Sequence, residues 1–133
     1  MISLMYAAIE SRVKQTLSTW KVHNITGISE EEFLNSYATE NQAACVSYKG
    51  FENNEVLENR TYGSRLHIFY VTIIANTDVM ATIENLITSF DTEVLTTTDE
   101  LNNKYHYNFT VDGGDFSTYY GGNIFEMRVT IYA

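Results

Sequence analysis

The chain has no proline, a single cysteine, few basic residues and no long apolar run. The lone cysteine, Cys45, excludes an internal disulfide and gives no support to a disulfide-forming secretory route. Eight Lys and Arg stand against 17 Asp and Glu, a formal net charge of −9. That balance argues against autonomous or sequence-specific nucleic-acid binding, which needs clustered cations to neutralise phosphates. No stretch approaches the length of a membrane span, so no membrane partner is expected. Residues 1–10 lack the basic start and apolar run of a signal peptide, and the sequence reads as having none.

Catalytic and ligand-binding signatures are equally sparse. The three histidines, His23, His67 and His106, fall in separate segments with no metal-ligand spacing between them. Cys45 lies between Ala44 and Val46, a setting that suits a small buried apolar residue better than a nucleophile. Asp112-Gly-Gly-Asp115 resembles a fragment of a calcium loop but lacks the remaining ligand positions, and a hairpin turn accounts for it better. Tyr119-Tyr-Gly-Gly122 has no following Lys-Ser/Thr and is not a phosphate loop. Glu30-Glu-Glu32 reads as a helix start, not as paired acid–base carboxylates. The expectation is therefore no catalytic residue, no metal and no cofactor, and folding without either.

What the chain does have is enough apolar material for one domain, residues 1–133. Apolar residues make up 44% and aromatics 14% of its 133 residues, too apolar for disorder and long enough to bury a core unaided. Abundant Asn, Thr, Tyr and Ile suit a sheet-rich domain. The acids are unevenly spread: residues 29–58 carry seven against Lys49, and residues 77–102 carry six with no base. Such blocks form solvated faces, or steer a basic partner.

Residues 2–20 read as an amphipathic helix, with Ile2, Met5, Tyr6, Ile9, Val13, Leu17 and Trp20 on one stripe. Residues 21–26 suit a short strand. Ser29 then caps a short helix through Tyr37, with acids in its first turn. Residues 43–51 and 61–75 read as strands, the second apolar enough to lie centrally with both faces covered. Asn76-Thr-Asp78 caps a helix over 78–91, whose stripe is Val79, Met80, Ile83, Leu86, Ile87 and Phe90. Thr96–Asp99 reads as a linker. Residues 105–111 and 123–132 alternate as a strand pair around a long Gly- and Tyr-rich loop, 112–122. The expected fold is α+β: a mainly antiparallel sheet of four to five strands with two helices packed on one face.

Two regions suggest an interface. The segment Gly50–Arg65 carries Phe51, Val56, Leu57 and Tyr62 among charges, as a protruding arm would. Tyr119 and Tyr120 belong to a C-terminal tyrosine cluster with Tyr105, Tyr107 and Tyr132, which serves either an interface or ordinary sheet packing.

The order of elements resembles the tail terminator (tail-completion) proteins of Mu-like phages and prophages. The resemblance rests on the opening helix Ile2–Trp20 and on Val46-Ser-Tyr-Lys-Gly50. It rests further on the Arg-led strand from Arg65 joined to helix Val79–Phe90, and on the closing pair Tyr107–Val111 and Phe125–Ile131. The acidic segment 29–42 and the extended linker 96–103 depart from the pattern. The resemblance implies a structural, non-enzymatic protein that forms a homo-oligomer, a six-subunit ring capping the tail tube. The ring would join the tube to the head–tail connector in the virion tail, after assembly in the host cytoplasm. The competing reading is a small acidic binding or adaptor domain that neutralises a basic protein partner.

Overall fold

The computed structural model describes residues 2–37, 42–53, 65–119 and 122–132. In chain order the elements are α1 (Ile2–Thr16), β1 (Val22–Asn24), α2 (Glu30–Ser36), β2 (Gln42–Asn53) and β3 (Arg65–Ala75). They continue with α3 (Val79–Ser89), β4 (Val94–Thr98), β5 (Lys104–Tyr119) and β6 (Gly122–Tyr132). The strands form one sheet in the order β1-β2-β3-β6-β5-β4. The class is α+β, but among the described residues six strands and three helices replace the expected four to five strands and two helices.

Each difference has a local cause. β4 falls partly in the expected linker; Leu95 is its one buried residue, and its strand form comes from antiparallel pairing with Lys104–Asn108. α2 forms as expected at its start, where the Ser29 hydroxyl accepts from the Glu32 amide at 3.1 Å. It acts as the crossover between β1 and β2, the sheet's one parallel pair. β5 does not turn at Asp112-Gly-Gly114. Its pairing with β6 slips by one residue between Val111 and Gly113, and the strand continues to Tyr119. Gly113 sits at φ 139°, a conformation that glycine adopts without strain.

A second bulge, between Tyr48 and Gly50 in β2, lies at the same level of the sheet. Tyr48, Phe69, Val129 and Val111 form one cross-strand row; β2 bulges just to one side of it and β5 just to the other. Bulges add twist, so this paired placement curls the sheet about its central β3–β6 pair.

The core lies between the sheet and α1 with α3. Met5, Ala8, Ile9, Val13 and Leu17 face Ala44, Val46, Phe69, Val71, Ile73, Met127, Val129 and Ile131. Each large side chain so buried contributes about 1.5–3 kcal/mol. α3 adds only Leu86 and, just past its end, Phe90, whose ring meets Phe109 edge-on at 6.0 Å. Its expected stripe is half exposed: Met80 is 78% and Ile87 48% accessible. Its expected cap is also absent, since Asp78 is left-handed (φ 51°) and makes no side-chain cap bond. β3 is central, as expected, and Val71 through Ala75 are buried in succession, which requires cover on both faces.

One core-edge contact carries a pH dependence. The Tyr48 hydroxyl and His67 Nδ1 lie 3.0 Å apart, and His67 is only 7% exposed. Burial, and secondarily the charge of Arg65, lower the His67 pKa from its ordinary 6.5. A depressed folded-state pKa gives stability that is complete above the unfolded value and is lost as the pH falls through the folded one. Thermal melts should therefore weaken as the pH drops below about 6.5. His67→Gln should lose less stability than wild type between pH 7.5 and pH 5; equal losses would remove His67 as the cause.

Candidate functional site

The face of the sheet away from α1 is only partly covered. α2 stands over it with no fully buried residue of its own, and a cleft of about 460 Å³ opens between helix and sheet. Its volume falls within the range of small-ligand sites. Ile25, Ile28, Phe33 and Leu34 form an apolar wall on the α2 side. The floor comes from three adjacent strands, with Ser47 on β2, Thr72 on β3, and Ile124 and Glu126 on β6. Asp115, Ser117 and Thr118 on β5 form the far wall, and Glu30 stands at the start of α2.

The floor is polar where a sheet interior is usually apolar. Ser47 is 1% exposed, and its buried Oγ has no hydrogen-bond partner among the described residues. Thr72 is 3% exposed and donates to Glu126 Oε2 at 3.5 Å, the outer limit of a hydrogen bond. Three carboxylates, Glu30, Asp115 and Glu126, thus border the cleft. Among the described residues its one lining cation is Lys49, whose ammonium rests 5.7 Å from the centre of the Tyr70 ring. Nearby, Asp112 accepts from the hydroxyls of Thr110 and Thr130 and lies 3.4 Å from Arg128 Nε, so that pair is locally neutralised.

The other chemistry-bearing residues do not converge. β1–β2 pairing sets His23 beside Cys45, but Cys45 is fully buried, closed to a substrate. The His23 ring stacks on Tyr37 at 4.7 Å. His67 faces the core on β3, and His106 lies exposed on β5. Among the described residues, no three His, Cys, Asp or Glu side chains gather as a metal site. No described helix is long and apolar enough to cross a membrane.

Of the expected interface residues, Phe51 lies within β2 and not in a loop. It is 53% exposed, packs near His67 and receives the Arg65 guanidinium over its ring at 5.1 Å. Val56, Leu57, Tyr62 and Tyr120 lie outside the described residues, as does most of the proposed arm; Tyr119 ends β5. Elsewhere in the tyrosine cluster, Tyr107 is a core residue. The Tyr105 hydroxyl donates to Asp99 at 3.1 Å, and the Tyr132 hydroxyl lies 3.3 Å from Thr110 Oγ1.

The sheet also presents open edges. β4 pairs with β5 only as far as Asn108, so among the described residues Phe109–Tyr119 is paired on one side alone. Thr110 through Thr118 are all exposed, Phe116 at 53%. On the opposite side β1 covers Ala44–Val46 of β2 and Thr26 Oγ1 accepts from the Tyr48 amide at 2.9 Å, so among the described residues the open part of this edge is Lys49–Asn53. Comparison with protein-family models and with characterised proteins finds no match to this chain.

Proposed function

We propose that this protein is a structural assembly component that joins copies of itself edge to edge, in the role of a phage tail terminator. The observation that carries the reading is the open edge Phe109–Tyr119. A long exposed strand with free backbone donors and acceptors is a template for a further strand. The second edge, Lys49–Asn53 of β2, is open among the described residues and lies on the other side of the sheet. Two different edges per copy make a head-to-tail contact, which closes into a ring if the rotation permits. A ring of six, set on the tail tube against the head–tail connector, follows from the resemblance noted above. The net charge of −9 supports it, since an acidic lumen would not grip passing DNA.

Native mass and sedimentation at micromolar concentration test the proposal. The wild-type chain should form a closed oligomer, and six copies would match the terminator role. Phe116→Lys places a charge on an exposed position of the edge. It should leave the circular dichroism unchanged and shift the population to monomer. A wild-type chain that stays monomeric at high concentration would overturn edge assembly, as would an unaltered oligomer in Phe116→Lys.

A further inference from the structure

The cleft between α2 and the sheet has a hollow, a buried hydroxyl unpaired among the described residues and an excess of carboxylates; edge assembly, which pairs the backbone of the strand that carries Asp115, accounts for none of these. We infer that it is a binding site for a primary ammonium group carried on an apolar stem. Ser47 Oγ on the floor is almost wholly buried and has no partner among the described residues. A buried hydroxyl left unpaired is costly, and a ligand that hydrogen-bonds to it recovers that cost. Glu126 shares the floor, with Asp115 on the far wall and Glu30 at the helix. Carboxylates accept and do not donate, so the ligand must bring donors and positive charge. An ammonium has three donors and no acceptor, and the Ser47 hydroxyl and carboxylate oxygens are its natural partners.

The apolar wall fixes the rest of the ligand. Ile28, Phe33 and Leu34 are half-buried in the cleft, and no α2 residue is fully buried. An aliphatic stem laid against them would remove that surface from water while its ammonium reached the floor, as a lysine side chain buries its methylenes. An anion would meet the three carboxylates. A neutral apolar ligand would leave Ser47 unpaired. Lys49 does not fill the role itself, because its ammonium stands over Tyr70.

Titration of the full-length chain with n-hexylamine, n-hexanol and hexanoate, followed by amide NMR shifts, tests the assignment. Hexylamine should bind with shifts centred on Ser47, Thr72, Glu126 and Phe33, at least tenfold more tightly than hexanol, and hexanoate should not bind. Glu126→Gln, at an exposed position, should weaken hexylamine at least tenfold, and Ser47→Ala severalfold. Glu100→Gln, which does not line the cleft, should change nothing. Nα-acetyl-lysine amide separates the sources: tighter binding than hexylamine points to a lysine on a protein partner, weaker binding to a free amine. Equal binding of hexanol and hexylamine would overturn the site, as would no binding of hexylamine at millimolar concentration or no effect of either Glu126→Gln or Ser47→Ala. Phe116→Lys should still bind hexylamine, so failure of edge assembly and failure of the amine site read out separately.

Discussion

Phe69→Ala is expected to lower stability by about 3–5 kcal/mol, enough to remove much of the margin of a domain this size. Phe69 is fully buried at the middle of β3, the strand with partners on both sides, β2 and β6. Its ring packs 5.1 Å from that of Tyr48, within the cross-strand row where the sheet curls. Truncation leaves a hollow between β2 and β6, beside the β2 bulge, and the sheet cannot close it without disturbing the β2–β3 register. Urea denaturation should show a lower midpoint with an unchanged slope. Ile83→Ala should cost clearly less, because Ile83 only leans on the core from a helix with one buried residue. A loss under about 1 kcal/mol at Phe69 would mean that the row does not bear the core.

That contrast marks what the sequence makes legible. The stripe of α1 is narrow and regular, and Met5, Ile9, Val13 and Leu17 are buried as their spacing requires. The continuous apolar run of β3 likewise predicts its central place. The stripe of α3 is as apolar, but spacing alone does not say how much of a stripe is covered; here Met80 is mostly exposed and Ile87 about half exposed. Asp112-Gly-Gly misleads for a related reason. Turns and bulges both need residues that tolerate unusual φ, and only the distant register with β6 decides between them. β4 is the same case, since a stretch with one buried residue becomes a strand through its partner.

The cleft was less legible still, because its residues come from five elements and share no motif. A signal was nonetheless present. Ser47 follows Ala43–Val46 and Thr72 interrupts Val71–Ile73, each a hydroxyl in a run otherwise built for burial. A polar residue inside such a run asks for a partner on the covered face, and Ser47 has none among the described residues. The open edge of β5 had no signal of its own, since an edge is defined by where the neighbouring strand stops.

Arg12→Ala is expected to cost about 2–3 kcal/mol, a loss seated in charged hydrogen bonds and not in apolar burial. Arg12 projects from α1 to the end of α3, where its guanidinium donates to the Ser89 carbonyl, to Thr92 Oγ1 at 2.9 Å and to the Val94 carbonyl at 3.3 Å. It also lies 5.8 Å from the centre of the Phe90 ring. The last carbonyls of a helix have no partner within it, and a cation there is favoured by the helix dipole as well. One side chain thus caps α3, fixes the turn into β4 and ties both to α1. Arg12→Lys keeps the charge but not the fork, and should recover less than half of the loss. Arg12→Ala should also raise hydrogen exchange in β4 and the last turn of α3 more than in β3, because those are the segments it holds. A uniform rise across the sheet, or full recovery by lysine, would show that Arg12 acts through net charge and not as a clamp between α1, α3 and β4.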